Sequence, residues 1–432
     1  MSDFLNRWFQ LEQHQTSVKQ ELVAGLTTFL AMAYIIVVNP NILAISGMDA
    51  GAVFVATCLA AALGSALMGL LANYPIAMAP GMGLNAFFTF TVVGTMGYTW
   101  QVALGCVLWS GVIFFLLSLC RLRSWLINTM PTSLKTAIAA GIGLFLAMIA
   151  LQNAGVIVNN EATLVSLGSV GSTEVLLTLL GFLVIIALYH RQLPAAIIIG
   201  VLLVTVVAWM LGKVQFQGVL STPPSLAPTL AQLEWRAILD LTLLPVILSF
   251  VLVDLFDTSG TLIAVSRQAG LLDEQGHLPR ADQAMLADSS ATIAGAVMGT
   301  STTTSYIESG AGVAVGGKTG LTALTTAVLF VLALFFSPLA QMIPPYATAP
   351  ALLFVAVMML SALKSVPWDD LTEYAPVVLT AIIMPLSFSI SDGIAVGFIS
   401  YVLIKILTGQ HQHVPLSVWV IASCFVLKYS FL

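Results

Sequence analysis

The chain has 432 residues, of which 59% are hydrophobic and only 8% charged. Globular domains carry about 25% charged residues, so these figures exclude a soluble domain of useful size and describe a polytopic membrane protein. A formal net charge of −5, with no large basic patch outside the apolar stretches, gives no basis for nucleic-acid binding.

Residues 1–21 are polar and mixed in charge, with no short apolar run and no small-residue cleavage site; they read as a cytoplasmic N-terminal segment rather than a signal peptide. A span needs about 20 mainly apolar residues. That places spans near 22–38, 52–72, 76–95, 102–120, 134–151, 173–189 and 194–211. A polar, proline-rich connector from Lys213 to Trp235 follows. A second set lies near 238–265, 282–300, 301–318, 320–343, 347–363, 375–390 and 392–408. The stretch 415–432 is apolar but ends in Lys428-Tyr429, and reads equally as an extra span or an interfacial tail.

Seven spans per half means that the halves enter the membrane in opposite orientation, the inverted repeat of secondary transporters. The third segment of each half is anomalous, and paired interrupted segments point to a transporter's binding site. With a cytoplasmic N-terminus, Arg7, Lys19, Arg121, Arg123, Lys135, Arg191, Arg267, Arg280, Lys318, Lys364 and Lys405 fall on the inner side. Only Lys213 and Arg236 fall outside, with Lys428 unassigned, which follows the positive-inside rule.

Four constellations are candidates for chemistry. In Met78–Phe88, Pro80, Gly81 and Gly83 are poor helix formers and Asn85 offers both a donor and an acceptor. The stretch suits either a broken segment facing a ligand or a glycine-rich packing face. In Val253–Thr261, Asp254 and Asp257 share a helix face with no Lys or Arg nearby in sequence. Apolar surroundings favour the protonated form of such a carboxyl, which suits it to carry a proton. Asp257 is the stronger candidate because Thr258-Ser259-Gly260 beside it reads as a point where backbone amides come free. Asp288 lies just before the second interrupted segment and suits either a structural hydrogen bond or a proton relay.

The richest stretch is Met298–Val313, with seven serine and threonine residues, Tyr306 and the carboxylate Glu308 between two apolar flanks. Non-helical polar backbone at membrane depth must be buried in protein or line a cavity, and an ionisable group there points to function. Glu308 can accept from ring N–H groups, and Tyr306 can stack on a flat ring. By contrast, Gly312–Thr319 matches G-x-x-x-x-G-K-[ST] but lacks the strand and α/β domain that a phosphate loop requires. Cys58, Cys106, Cys120 and Cys424 show no metal or redox spacing, and His14, His190, His277, His411 and His413 organise no site.

Gly25–Tyr34 with Val38-Asn-Pro40, Gly81–Phe88, Leu255–Thr261, Ser305–Ser309 and Tyr346–Pro350 together resemble the AzgA-like purine permeases, a branch of the nucleobase–ascorbate (nucleobase–cation symporter 2) superfamily, over nearly the whole chain. The resemblance implies an all-α polytopic membrane protein of 14 transmembrane segments in a 7+7 inverted repeat, with segments 3 and 10 broken and containing short strands. It implies a core domain from residues 22–120 and 237–343 and a gate domain from residues 134–212 and 347–408; the C-terminal tail at 409–432, with its apolar stretch 415–432, goes beyond the fourteen-segment pattern. The implied activity is proton symport of adenine, guanine or hypoxanthine across the inner membrane, with no cofactor and no enzymatic step. The implied partners are a purine base, a proton, the lipid bilayer and a second copy in a homodimer. Gly83, Asn85, Asp257, Tyr306 and Glu308 match substrate-binding positions. Asp257, Asp288, Glu308 and, less securely, Asp254 match positions linked to proton coupling. The alternative is a channel or carrier for another small polar solute or anion on the same fold, which the acidic character of the site disfavours.

Overall fold

The computed structural model describes residues 2–120, 130–160, 163–273 and 278–431; Arg121, Arg123 and His277 lie outside these. Its helices follow the apolar stretches. They are α1 (Ser2–Phe9), α2 (Val18–Met32), α3 (Ile35–Ala44), α4 (Ala50–Leu67), α5 (Met82–Ala86), α6 (Trp100–Leu119), α7 (Thr132–Asn153), α8 (Thr173–His190) and α9 (Ala196–Met210). After the connector come α10 (Leu244–Gln268), α11 (Ala281–Met298), α12 (Ser309–Ala314), α13 (Gly320–Ala333), α14 (Ser337–Gln341), α15 (Pro345–Leu360), α16 (Leu371–Ser387), α17 (Ile390–Leu407) and α18 (Leu416–Phe431). Among the described residues, and counting contiguous elements such as α2 and α3 (Val18–Ala44) together, nine helical stretches are long and apolar enough to cross a membrane, and four shorter ones are apolar. The protein is an integral membrane protein. Side-chain caps set several helix starts: Ser17, Asp49, Thr99 and Ser172 each accept from an amide three residues on.

Two extended segments interrupt this helical order. β1 (Met78–Pro80) precedes α5, whose helix widens into π-type turns over Phe87–Thr95, and β4 (Thr303–Ser305) precedes α12. The helix before each segment ends on a left-handed residue, Asn73 (φ 56°) and Gly299 (φ 97°), which turns the chain out of the helix. A hairpin of β2 (Ile157–Asn160) and β3 (Leu164–Leu167) follows α7, between the expected spans 134–151 and 173–189.

The helices pack in two sets. α13 lies against α2 and α4, and α11 against α4 and α6. α7 lies against α15 and α16, α8 against α9, and α16 against α17. Small residues permit the tightest crossings: a Cβ on Gly320 would collide with the Gly69 carbonyl oxygen, so backbone meets backbone there.

The structure corrects two local expectations. α10 runs unbroken through Thr258-Ser259-Gly260, so no amides are released beside Asp257. The hydroxyls there support the helix instead: Ser259 donates to the Leu255 carbonyl and Thr258 to Asp288. The first span divides at Ala33–Tyr34, where Ile36 and Val37 make tightened bonds to Ala33 and Tyr34. Lys405, within the expected span 392–408, is 4% exposed and ion-paired with Glu373 at 2.7 Å.

Candidate functional site

β1 and β4 pair antiparallel, with Met78 opposite Ser305, Ala79 opposite Thr304 and Pro80 opposite Thr303. Gly81 N donates to Thr302 O at 2.9 Å and Tyr306 N to Ala77 O at 3.0 Å, extending the ladder at both ends. Two strands leave two outer edges, and a buried edge must find partners. Ser65 of α4 accepts from Met78 N at 2.9 Å and donates to Met78 O at 3.2 Å. Thr292 of α11 accepts from Thr303 N at 3.2 Å and donates to Thr303 O at 3.1 Å. Each strand is thus closed by one hydroxyl from the helix that precedes it. Ser309 adds a contact by accepting from Ala77 N at 3.0 Å.

This frame places the acidic cluster. Glu308 follows β4 and accepts from the Tyr34 hydroxyl at 2.5 Å. Tyr306 is 5% exposed and donates to Pro80 O at 2.5 Å, which lays its ring across the strand pair. Asp257 of α10 stands beside Thr304, within electrostatic reach of Glu308 and Tyr306. Asn85 is fully buried, and Ser301 donates to its Oδ1. Its Nδ2 is buried with no hydrogen-bond partner, as are the hydroxyls of Thr302, Thr303 and Ser305. Strand side chains alternate in face, and the Thr303 hydroxyl lies against Gly295 of α11, so these atoms fall on both faces of the strand pair; each buried polar atom without a protein partner calls for water or a ligand.

Of the seven residues singled out in the sequence, four converge here: Asn85, Asp257, Tyr306 and Glu308. Asp288 is fully buried beside α10, where it accepts from Thr258 at 2.8 Å, one residue from Asp257. Asp254, 2% exposed, lies one helical turn before Asp257. Gly83 faces Ile142 of α7: a Cβ there would lie 2.5 Å from Ile142 Cγ2. It stands at a close approach between the two helix sets.

Tyr34, Ser65, Thr292 and Ser301 went unrecognised in the sequence as site residues. Each is a common residue in or beside an apolar helix, and only distant pairing reveals its work.

The phosphate-loop match is occupied from within. Lys318 N and Thr319 N donate to the two oxygens of Glu21 at 3.0 and 3.1 Å, and the Thr322 hydroxyl adds a bond of 2.7 Å. Glu21 is fully buried, so an internal carboxylate takes the amides at the start of α13 that a phosphate would need.

A family model described as "Permease family" matches residues 19–396. Adenine permease AdeP of Escherichia coli (strain K12) is 50% identical over 428 residues, covering 99% of this chain and 96% of its own. Guanine/hypoxanthine permease PbuG of Bacillus subtilis (strain 168) is 46% identical over 440 residues, covering 99% of this chain and 100% of its own. Among solved structures, the transmembrane domain of the cyanobacterium bicarbonate transporter BicA superposes with a TM-score of 0.64 at 16% identity, covering 85% of this chain and 96% of that one. At that identity the likeness speaks for the fold alone. A full-length match of this kind identifies a transporter and not an enzyme, and the chain belongs to the Permease family.

Proposed function

We propose that the chain is a proton-coupled symporter that imports free purine bases by alternating access. The observation that carries the reading is the convergence of Asn85, Tyr306 and Glu308 on the β1–β4 frame beside Asp257. The full-length adenine and guanine/hypoxanthine permeases supply the substrate class. A purine edge alternates N–H donors with ring-nitrogen acceptors. Carboxylates accept from the donors, the Asn85 amide answers either kind, and the Tyr306 ring offers a flat apolar face. The bicarbonate transporter's shared fold gives no support to an anion substrate here, because an acidic cluster repels one.

In this reading the chain has fourteen membrane segments in two inverted sets of seven. The matched closure of β1 by Ser65 and β4 by Thr292 supports equivalence of the third and tenth segments. The N-terminus is cytoplasmic, and the helix set containing α7, α15, α16 and α17 rocks against the set that carries the frame. Two nearby carboxyls resist ionising together, so a proton held by Asp257 or Glu308 enters with the base and leaves on the less acidic side. Asp288 steadies Asp257 through Thr258.

Purified protein in liposomes, supplied with radiolabelled adenine, guanine or hypoxanthine, tests the proposal. Uptake above equilibrium is expected with an inward proton gradient and is lost when that gradient is collapsed. Accumulation that survives the collapse would remove proton coupling. Wild-type uptake by Glu308→Ala or Asp257→Ala would remove those residues from the site.

A further inference from the structure

Tyr34 has no place in the mechanism above, yet it touches the central acid. It occupies the break between α2 and α3 and is 0% exposed. Its carbonyl accepts from Val37 and Val38 amides at 3.1 and 3.0 Å, which anchors the backbone on the α3 side. Its hydroxyl reaches Glu308 Oε1, 274 residues away, at 2.5 Å. Hydrogen bonds from a hydroxyl to an ionised oxygen run about 2.5–2.7 Å. The ionisable groups that face this pair are Asp257 from α10 and Tyr306 from the segment carrying Glu308. The Tyr306 hydroxyl is engaged with Pro80 O, so Tyr34 is the tyrosine that donates to the carboxylate.

We infer that Tyr34 is a positioning residue for transport: its hydroxyl orients the Glu308 carboxylate and competes with the transported proton for it. The inference rests on the purine-symport reading for its consequence, though the bond itself does not. A donor to a carboxylate stabilises the charged form. A proton on the other Glu308 oxygen can leave the bond in place but weakens it from charge-assisted to neutral, so the bond opposes protonation. Because Tyr34 lies at a helix break, movement of α2 relative to α3 would change its reach and so couple the proton to the shape of the first span.

Tyr34→Phe tests this, since the ring and its packing remain and only the hydroxyl goes. Wild type, Tyr34→Phe, Glu308→Gln and the double variant are reconstituted and assayed for purine uptake across a pH series. In Tyr34→Phe the alkaline limb of the profile is expected to move about one unit upward, equivalent to about 1.4 kcal/mol lost from the charged form. A readout independent of transport accompanies it: infrared titration of the carboxyl stretch that Glu308→Gln abolishes, in purified protein. That band is expected to titrate at higher pH in Tyr34→Phe than in wild type, and Tyr34→Phe should add nothing to the spectrum of Glu308→Gln. Unchanged uptake profile and unchanged carboxyl titration would overturn the inference. If wild type accumulates no purine while the carboxyl titration moves, the purine reading fails and the Tyr34–Glu308 link stands.

Discussion

Ser301 and Asn85 show how much one hydroxyl can fix. Both are fully buried, and the Ser301 hydroxyl engages Asn85 Oδ1, which sets which edge of the amide carries the unpartnered Nδ2. Ser301→Ala removes the donor and strands a buried carbonyl oxygen, a loss of about 1–3 kcal/mol. The residue also loses its preferred amide orientation, so the effect is expected mainly in substrate binding. Uptake kinetics in proteoliposomes should show KM for the purine raised about tenfold, the equivalent of about 1.4 kcal/mol, with the maximal rate within about twofold of wild type. An unchanged KM would mean that Asn85 does not meet the base. The Glu373–Lys405 pair makes the contrasting case. Lys405 bonds Thr372 and Gln410 as well, and Ser133 donates to Glu373 at 2.5 Å, so the charges are paired and surrounded by hydrogen bonds. Lys405→Met leaves the Glu373 carboxylate without its cation and is expected to lower the thermal midpoint of detergent-solubilised protein clearly. Adding Glu373→Gln should recover part of the loss, because a lone partly buried charge costs more than none.

At the scale of elements, the two short strands depend on hydroxyls that lie outside them. Ser65→Ala removes the partner of both Met78 N and Met78 O, and Thr292→Val does the same to Thr303. Each unpaired backbone group at membrane depth costs about 1–3 kcal/mol. Both variants are expected to melt earlier than wild type in a thermal shift assay, whereas Ser400→Ala, whose hydroxyl bonds only the Gly397 carbonyl, should not. This dependence also explains what the sequence made legible. Helix positions followed directly from runs of apolar residues. Asn85, Asp257 and Glu308 were visible because a polar side chain in such a run has no packing reason to be there. Tyr34, Ser65 and Thr292 were not, because a tyrosine or hydroxyl fits an apolar helix without explanation, and Tyr34's partner is 274 residues distant. The Thr258-Ser259-Gly260 run misled for the opposite reason. It has the composition of a helix stop, but its hydroxyls bond within α10 and to α11.

For the whole molecule, the proposal requires the two helix sets to move against each other, and Gly83 marks where they touch. An ideal Cβ on Gly83 stands 3.8 Å from Cβ of Ile142, and disulfides hold their Cβ atoms about 3.8 Å apart. The pair Gly83→Cys with Ile142→Cys therefore suits a bridge between α5 and α7, and the smaller cysteine side chain in place of Ile142 also relieves the crowding that a Cβ at position 83 meets. Cys120 and Cys424 are exposed and would be replaced by Ser, while Cys58 and Cys106 are buried and stay. Under reducing conditions the double variant is expected to accumulate purine. Mild oxidation should link the two positions, seen as a joined peptide by mass spectrometry, and stop accumulation while leaving purine binding to the detergent-solubilised protein measurable. Returning the reductant should restore uptake. A linked protein that transports at the reduced rate would show that α5 and α7 stay together through the cycle, and the rocking motion would have to be assigned to other helices.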